Sequence, residues 1–468
     1  MEQLKALFVR WAGVQCDYCR PLAGGGSARR YYRLAGGGAT AIGAVADDLR
    51  ENEAFFAFTY HLHSRGMPVP ELYAVSNDRR CYLQQDLGDN TLYGLLYDKK
   101  RQGLGFDAEI LSLYRKALSD LDAIQKAGRD MDFSVAYPRE AFDRRSMLWD
   151  LNYFKYYFLK LAHVDFDEER LENDFNTLAD FLLKADCNYF LYRDFQGRNI
   201  MVESDAESHR TELYYIDYQG GRRGASQYDV ASLLYSAKSD LPEAVRADLL
   251  RHYVNLHGDP DFMTYFWGYV LIRIMQTLGA YGYRGLYEKK SYFIESIPLA
   301  LQNLRHVVET HPMPISLPEL ERVWKRLAAI KPSGEPQSQE LTVQVQSFSY
   351  KRGLPEDKSG NGGGFVFDCR ALPNPGRYEQ YKAYTGRDRQ VIEFLEKESA
   401  VDTFIENAKG LVAQSIEKYL ERRFTHLSVS FGCTGGQHRS VYCAERIARW
   451  IGETYPTVNI DLYHREQD

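Results

Sequence analysis

Residues 191–202, LYRDFQGRNIMV, restrict the fold more than any other part of the chain. An apolar run stops at Tyr192, Arg193 and Asp194. Asn199 follows Asp194 by five residues, and a second apolar run, 200–202, begins at once. A further apolar strand, 213–216, leads into Asp217. The pattern asks for a short strand, a tight polar turn, and a hairpin that returns a second carboxylate to that turn. This is the layout that phosphoryl transfer from ATP requires. One carboxylate orients an acceptor hydroxyl and takes its proton, while an Asn amide oxygen and a second carboxylate hold Mg²⁺ against the phosphates. On this reading Asp194 is the base, and Asn199 and Asp217 are the metal ligands. Taken singly, each is an ordinary hairpin-turn residue.

At 468 residues the chain exceeds one compact domain. Its net charge of −6 gives no general attraction to nucleic acid or membrane. Residues 341–468 carry 17 basic and 17 acidic residues, so the acidic excess lies wholly upstream. No run approaches the roughly 20 apolar residues that span a bilayer. The N-terminal MEQLKALFVRWAG lacks a signal peptide's apolar core. A cytoplasmic location and no membrane partner are expected. Seven scattered cysteines fit reduced thiols better than a disulfide framework.

Upstream of the turn, residues 1–20 read as a short helix. Gly24, Gly25, Gly26 and Ser27 precede an aromatic strand at 29–34, as in a hairpin that lids a nucleotide's phosphates. The next strand, 40–45, holds no Lys to grip those phosphates, which leaves Arg29 or Arg30 for the charge. Residues 47–64 form a helix on which Glu51 or Glu53 points a carboxylate at the site or simply meets solvent. Gln85 and Asp86 fall where the chain crosses between lobes beside adenine. Helical patterns fill 104–186 and continue from Asp229, a cap or first-turn acid, to about residue 330. Arg222 and Arg223 face phosphates or solvent, and Arg273 and Gln276 line the acceptor side. The polar run 331–340, KPSGEPQSQE, is a linker between units at 1–330 and 341–468.

In the last unit, 341–348 alternates as a half-buried strand and 365–368 is a second strand. Two helices follow in 389–422. The strand 427–431 then runs into the glycine-rich turn 432–436 and an amphipathic helix, 439–451. Amides and helix dipole at such a turn make an anion site. Its candidate residues are Cys433, Thr434, Gly435, Gly436, His438, Arg439 and Ser440. Lys351 and Arg370, which end strands, converge on it with Arg352 and Asp368. The spacing from Cys433 to Arg439 and Ser440 is also that of cysteine phosphatases.

From about residue 22 to 330 the chain resembles the aminoglycoside phosphotransferase-like kinases. Within them it is most similar to the anomeric amino-sugar kinases of cell-wall recycling. The resemblance is carried by Ser27 to Arg33, Gln85 to Asp89, Arg193 to Asn199, Ile216 to Gln219, and Tyr228 to Val230. It implies ATP and Mg²⁺ as cofactors and N-acetylglucosamine or N-acetylmuramic acid as acceptor, and it accommodates the missing Lys. The usual His before Arg-Asp is Tyr192 here. Residues 345–465 resemble the C-terminal domain of the RapZ family, RNase adapter proteins. The residues that carry this likeness include Ser347 to Pro355, Phe367 to Arg370, Leu372 to Pro375, and Gly432 to Val441. It implies that an amino-sugar phosphate, glucosamine-6-phosphate, binds there. It also implies RNA binding, against which the neutral charge argues.

The expected architecture is an α+β, protein-kinase-like two-lobe domain followed by a smaller α/β domain with a glycine-rich anion-binding turn. The expected activity is an ATP-dependent sugar kinase fused to an amino-sugar-phosphate sensor. The alternative is a non-catalytic regulatory or RNA-binding adapter.

Overall fold

The computed structural model describes residues 1–22, 29–204, 211–329, 341–355, 364–422 and 424–467. The expected phosphate lid, Gly24, Gly25, Gly26 and Ser27, lies outside the described residues, as does the expected linker 331–340. The chain divides into two compact units, Met1–Glu288 with Tyr292–Lys331, and Lys289–Ser291 with Pro332–Asp468.

The first unit opens with helix Glu2–Ala12, shorter than the sequence suggested. Gly13, at φ 70°, ends it in the left-handed conformation that a residue without Cβ adopts at no steric cost. The chain then forms strand β1, Tyr18–Pro21, in place of the expected helix. With β2 (Arg30–Gly36), β3 (Ala39–Val45), β4 (Leu72–Val75) and β5 (Cys81–Gln84) it builds an antiparallel sheet ordered β1-β2-β3-β5-β4. Leu4, Leu7 and Phe8 of the first helix pack on Leu34, Ala41 and Leu83 of the sheet. Gly43 allows that approach, because a Cβ there would lie 2.7 Å from Leu34 and 3.0 Å from Leu4.

The helix Leu49–Ser64 starts on Asp48, whose carboxylate accepts from the Arg50 amide. It buries Phe55, Phe56 and Phe58 in a core shared with the helical lobe. Helices of that lobe begin on Asp107, Asp143 and Asp167, each accepting from a first-turn amide. Such caps contribute roughly 1 kcal/mol each. The central helix, Phe262–Tyr281, is buried on nearly every side, as its almost unbroken apolar sequence requires. Between the lobes lie two short antiparallel pairs. One joins β6 (Tyr189–Leu191) to β9 (Arg222–Gly224), the other β7 (Ile200–Ser204) to β8 (Thr211–Tyr215). The unit is thus the expected two-lobe α+β arrangement.

The second unit is α/β. Strands β10 (Thr342–Ser349), β11 (Gly364–Asp368), β12 (His426–Cys433) and β13 (Asn459–His464) form a parallel sheet ordered β11-β12-β10-β13. The sequence suggested a half-buried strand near β10. Instead β10 is a central strand, buried continuously from Val345 to Ser349. Its polar residues are satisfied internally: Gln346 donates to the Ser430 hydroxyl at 3.1 Å, and the Ser347 hydroxyl lies 2.8 Å from the His464 ring. Central parallel strands are covered on both faces, so polar-apolar alternation does not mark an exposed face here.

Candidate active site

The turn after β6 is held from three sides. Asp229, in the first turn of the fully buried helix Gln227–Leu234, does not cap its own helix. Its carboxylate accepts from the backbone amides of Tyr192 (2.7 Å) and Arg193 (3.0 Å). Burial pushes its pKa up to about 7 against the pull of those donors. The Arg193 guanidinium is clamped by both oxygens of Asp150, at 2.7 and 3.0 Å, and by the Tyr228 hydroxyl at 3.0 Å. The Tyr192 hydroxyl donates to the Ile216 carbonyl, tying the turn to the strand that carries Asp217. Arg193 and Asp217 both adopt positive φ, 80° and 71°. Strained, non-glycine backbone of this kind persists where surrounding contacts over-determine it.

These restraints bring Asp194, Asn199 and Asp217 together. The Asn199 side-chain amide donates to the Asp194 carbonyl at 2.9 Å and to Asp217 Oδ2 at 3.2 Å. Its Oδ1 could serve a cation. Gln219 holds the other Asp217 oxygen at 2.7 Å. Deep placement and the neighbouring Asp194 charge push the Asp217 pKa up to about 6, while Gln219 and Arg29 pull it down. Asp194 is half exposed to the cleft, with Arg273 Nη2 at 3.3 Å. The donor set is oxygen-only, and two carboxylates repel across it. That suits a small hard cation that keeps waters and takes phosphate oxygens as its other ligands. Among the described residues no three His, Cys, Asp or Glu side chains form a closed metal cage.

All three residues line one cleft of about 680 Å³. Its strand-side end is formed by Ile42, Pro70, Gln84, Gln85, Met201 and Ile216. Arg29 also lines it, with its Nη2 3.5 Å from Glu51. The structure thereby separates the two candidate acids: Glu51 pairs with Arg29, whereas Glu53 pairs with Arg79 outside the cleft. Asp86 does not reach the cleft as expected. Its carboxylate turns to Arg33 at 2.8 Å instead of lining the cleft, because that guanidinium offers a fork shared with Asp89. Gln85 lines the cleft, but its backbone amide donates to the Glu71 carbonyl. Arg222 is buried, donating to the Gly220 carbonyl, and Arg223 lies over the Phe133 ring. The sequence reading did not single out Asp150, and it named Gln219 and Arg33 only within motifs, without a role. The Arg before Asp194 was the available signal for a buried acid, but its position lay 43 residues away.

In the second unit the parallel sheet brings the ends of β10, β11 and β12 to one edge, and with them Lys351, Arg370 and Cys433. Thr434 and Gly435 are exposed there. Two expected anion ligands are engaged elsewhere. Arg439 Nη1 donates to the Arg370 and Leu372 carbonyls, at 2.8 and 3.0 Å. His438 Nε2 lies 2.9 Å from the Tyr381 carbonyl. Both close the loop that follows β11, whose carbonyls need donors once buried. Arg370 pairs with Asp368 and lies over the Tyr350 ring. The buried Cys433 sulfur contacts the Ser440 hydroxyl (3.1 Å) and accepts from the Gly436 amide (3.2 Å). Burial opposes ionisation, yet these donors and Arg439 hold the thiol below its usual range. Glu466 also reaches this edge and was not anticipated. It pairs with Arg352 at 2.7 Å, and a Cβ on Gly436 would lie 2.4 Å from its Cγ.

The model of the phosphotransferase enzyme family matches residues 19–266, and that of the RapZ C-terminal domain matches 341–468. A nucleotide-binding protein of Laribacter hongkongensis is 37% identical over 169 residues, covering 36% of this chain and 55% of the relative. One of Azoarcus sp. is 43% identical over 132 residues, covering 28% and 42%. The chain spans about half the length of the curated relatives it matches. Among solved structures, a Plasmodium vivax ethanolamine kinase superposes with a TM-score of 0.44 at 10% identity, covering 62% of this chain and 82% of that one. An ADP-bound aminoglycoside phosphotransferase gives 0.40 at 14% identity, covering 62% and 94%. No helix among the described residues is long and apolar enough to cross a membrane.

Proposed function

This chain belongs to the phosphotransferase enzyme family, and we propose that it transfers the γ-phosphoryl group of ATP to a hydroxyl of a sugar or amino sugar of the N-acetylglucosamine or N-acetylmuramic acid type. The observation that supports this reading is that Asn199 donates to Asp217 and to the Asp194 backbone carbonyl, with Asp194 lining the same cleft. The strand-side end of the cleft receives the adenine among Ile42, Met201 and Ile216. Arg29, braced by Glu51, supplies the cation that a strand Lys would supply. Asn199 and Asp217 would hold Mg²⁺, which neutralises phosphate charge when bound.

Asp194 accepts the proton of the acceptor hydroxyl and aims its oxygen along the line of attack. Arg273 steadies that carboxylate from the helical lobe. Tyr192 replaces the customary His and serves the same structural end through the Ile216 carbonyl. The second unit binds an amino-sugar phosphate such as glucosamine-6-phosphate at the sheet edge bearing Thr434, Gly435, Lys351 and Arg370. RNA is the less favoured partner, since residues 341–468 are charge-neutral.

The test is ATP turnover by the full chain against a panel of amino sugars, with Asp194→Asn as control. The expected result is a sugar-dependent rate reduced at least about a hundredfold in the control. Equal rates in the two proteins would leave the alternative, a regulatory binding protein.

A further inference from the structure

A second, smaller cavity of about 70 Å³ adjoins the cleft and shares Arg198 with it. It is walled by Tyr93, Gln196, Arg198, Ser236, Lys238 and Tyr292, from four separate stretches of the first unit. The space is that of about two waters, or one compact oxyanion. Its lining residues include two cations and several hydroxyls and amides, but no acid. Neither Arg198 nor Lys238 has a carboxylate at ion-pair distance among the described residues. Lys238 Nζ instead sits 2.9 Å from the Tyr292 ring centre. Burial pushes the Lys238 pKa down to about 8; Glu295 pulls it up, and the Arg198 charge adds to the lowering.

Two like charges around a half-enclosed space repel each other, and Lys238, the less exposed of the two, is also partly stripped of water. A cation-π contact compensates for only part of that loss. An anion seated between them removes the repulsion and gains charge-assisted hydrogen bonds. Arg198 directly precedes Asn199, so whatever the cavity holds lies beside the catalytic turn. The other cavity walls, Ser236, Lys238 and Tyr292, belong to the helical lobe, opposite the strand-side end of the cleft.

We propose that this cavity is an anion subsite on the acceptor side, in which Arg198 and Lys238 hold a carboxylate or phosphate with the Ser236 and Tyr93 hydroxyls as further donors. The proposal rests on the kinase reading for its acceptor role, but its anion chemistry stands apart from turnover. The anion is either a substituent of the acceptor itself or a free oxyanion that binds beside it. In either case cationic acceptors are disfavoured at this end of the cleft.

Competitive acetylation of the full chain, with Lys238 followed by mass spectrometry, reads this site separately from other phosphate sites. Inorganic phosphate is the first probe, at constant ionic strength set with chloride. Lys238 labelling should slow at least about fivefold in the wild-type protein and in Asp194→Asn, and the protection should vanish in Arg198→Gln of unchanged melting temperature. Labelling unaffected by phosphate, or protection that survives Arg198→Gln, overturns the proposal. Sugar acids and neutral sugars then identify the source. Protection by sugar acids at lower concentration than phosphate, with a turnover preference for them that Lys238→Met abolishes and Lys238→Arg keeps, assigns the anion to the acceptor. Protection by phosphate alone, with no such preference, assigns it to a free oxyanion. Absence of turnover with every sugar would count against the kinase reading while leaving the phosphate result to judge the cavity.

Discussion

Arg29 Nη2 stands 3.5 Å from a Glu51 oxygen in the cleft, with the arginine side chain only 1% exposed. In the proposed kinase, a buried guanidinium this close to Asp217, whose titration it influences, would meet the donor phosphates. Arg29→Met should therefore lower kcat/KM for ATP by about 10- to 100-fold, the loss of one charge-assisted interaction of roughly 1.5–3 kcal/mol. Arg29→Lys should recover part of it. Steady-state kinetics against ATP decide the matter, and an unchanged KM and kcat would remove Arg29 from the nucleotide site.

Tyr192→Phe deletes the hydroxyl that joins the turn before Asp194 to the Ile216 carbonyl. A part-buried carbonyl loses its donor, at a cost of about 1 kcal/mol. Thermal unfolding should fall by several degrees, with kcat reduced more than KM for ATP because the turn and Asp217 lose register. A Tyr192→His variant should retain activity better than Tyr192→Phe.

Asp229 has its folded pKa raised to about 7 by burial, above the usual carboxylate range. The ionised form is thus disfavoured in the folded state. Its stabilising contribution is complete below about pH 4 and is lost as pH rises through about 7. The melting temperature of the wild-type protein should decline more between pH 6 and 8 than that of Asp229→Asn, which has no such group. Asp229→Ala, which strands two buried amides, should be the least stable of the three at every pH.

Asp217 must be a carboxylate to hold a cation, and its pKa is raised to about 6 in the absence of one. Affinity for Mg²⁺-nucleotide should rise with pH up to about 6 and flatten above it, falling up to tenfold per unit on the acid side. Asp217→Asn should abolish the pH dependence together with most of the affinity, as calorimetry of nucleotide binding would record.

Glu466 places a buried acid against the glycine-rich turn of the second unit. Glu466→Gln removes a charge that opposes an incoming phosphate, and glucosamine-6-phosphate should bind on the order of two- to fivefold more tightly. Weaker binding in the variant would mean that Glu466 organises the site through Arg352 instead of opposing the ligand.

The sequence alone determined the polar turn from Asp194 to Asn199, the hairpin returning Asp217, the two-lobe α+β arrangement and the strand-turn-helix of the second unit. These rest on local signals: an Asn five residues after an Asp, apolar runs of strand length, glycines at a turn. Only the tertiary structure decided the pairings. Local pattern offered Glu51 and Glu53 equally, and packing gave one to Arg29 and the other to Arg79. It turned Asp86 to Arg33, sent Arg439 to the Arg370 and Leu372 carbonyls, and carried Asp229 across to the amides of Tyr192 and Arg193. The reason is range: a turn is encoded by its own few residues, whereas the partner of a buried charge comes from whichever distant element the core brings against it, and no spacing in the chain records that choice.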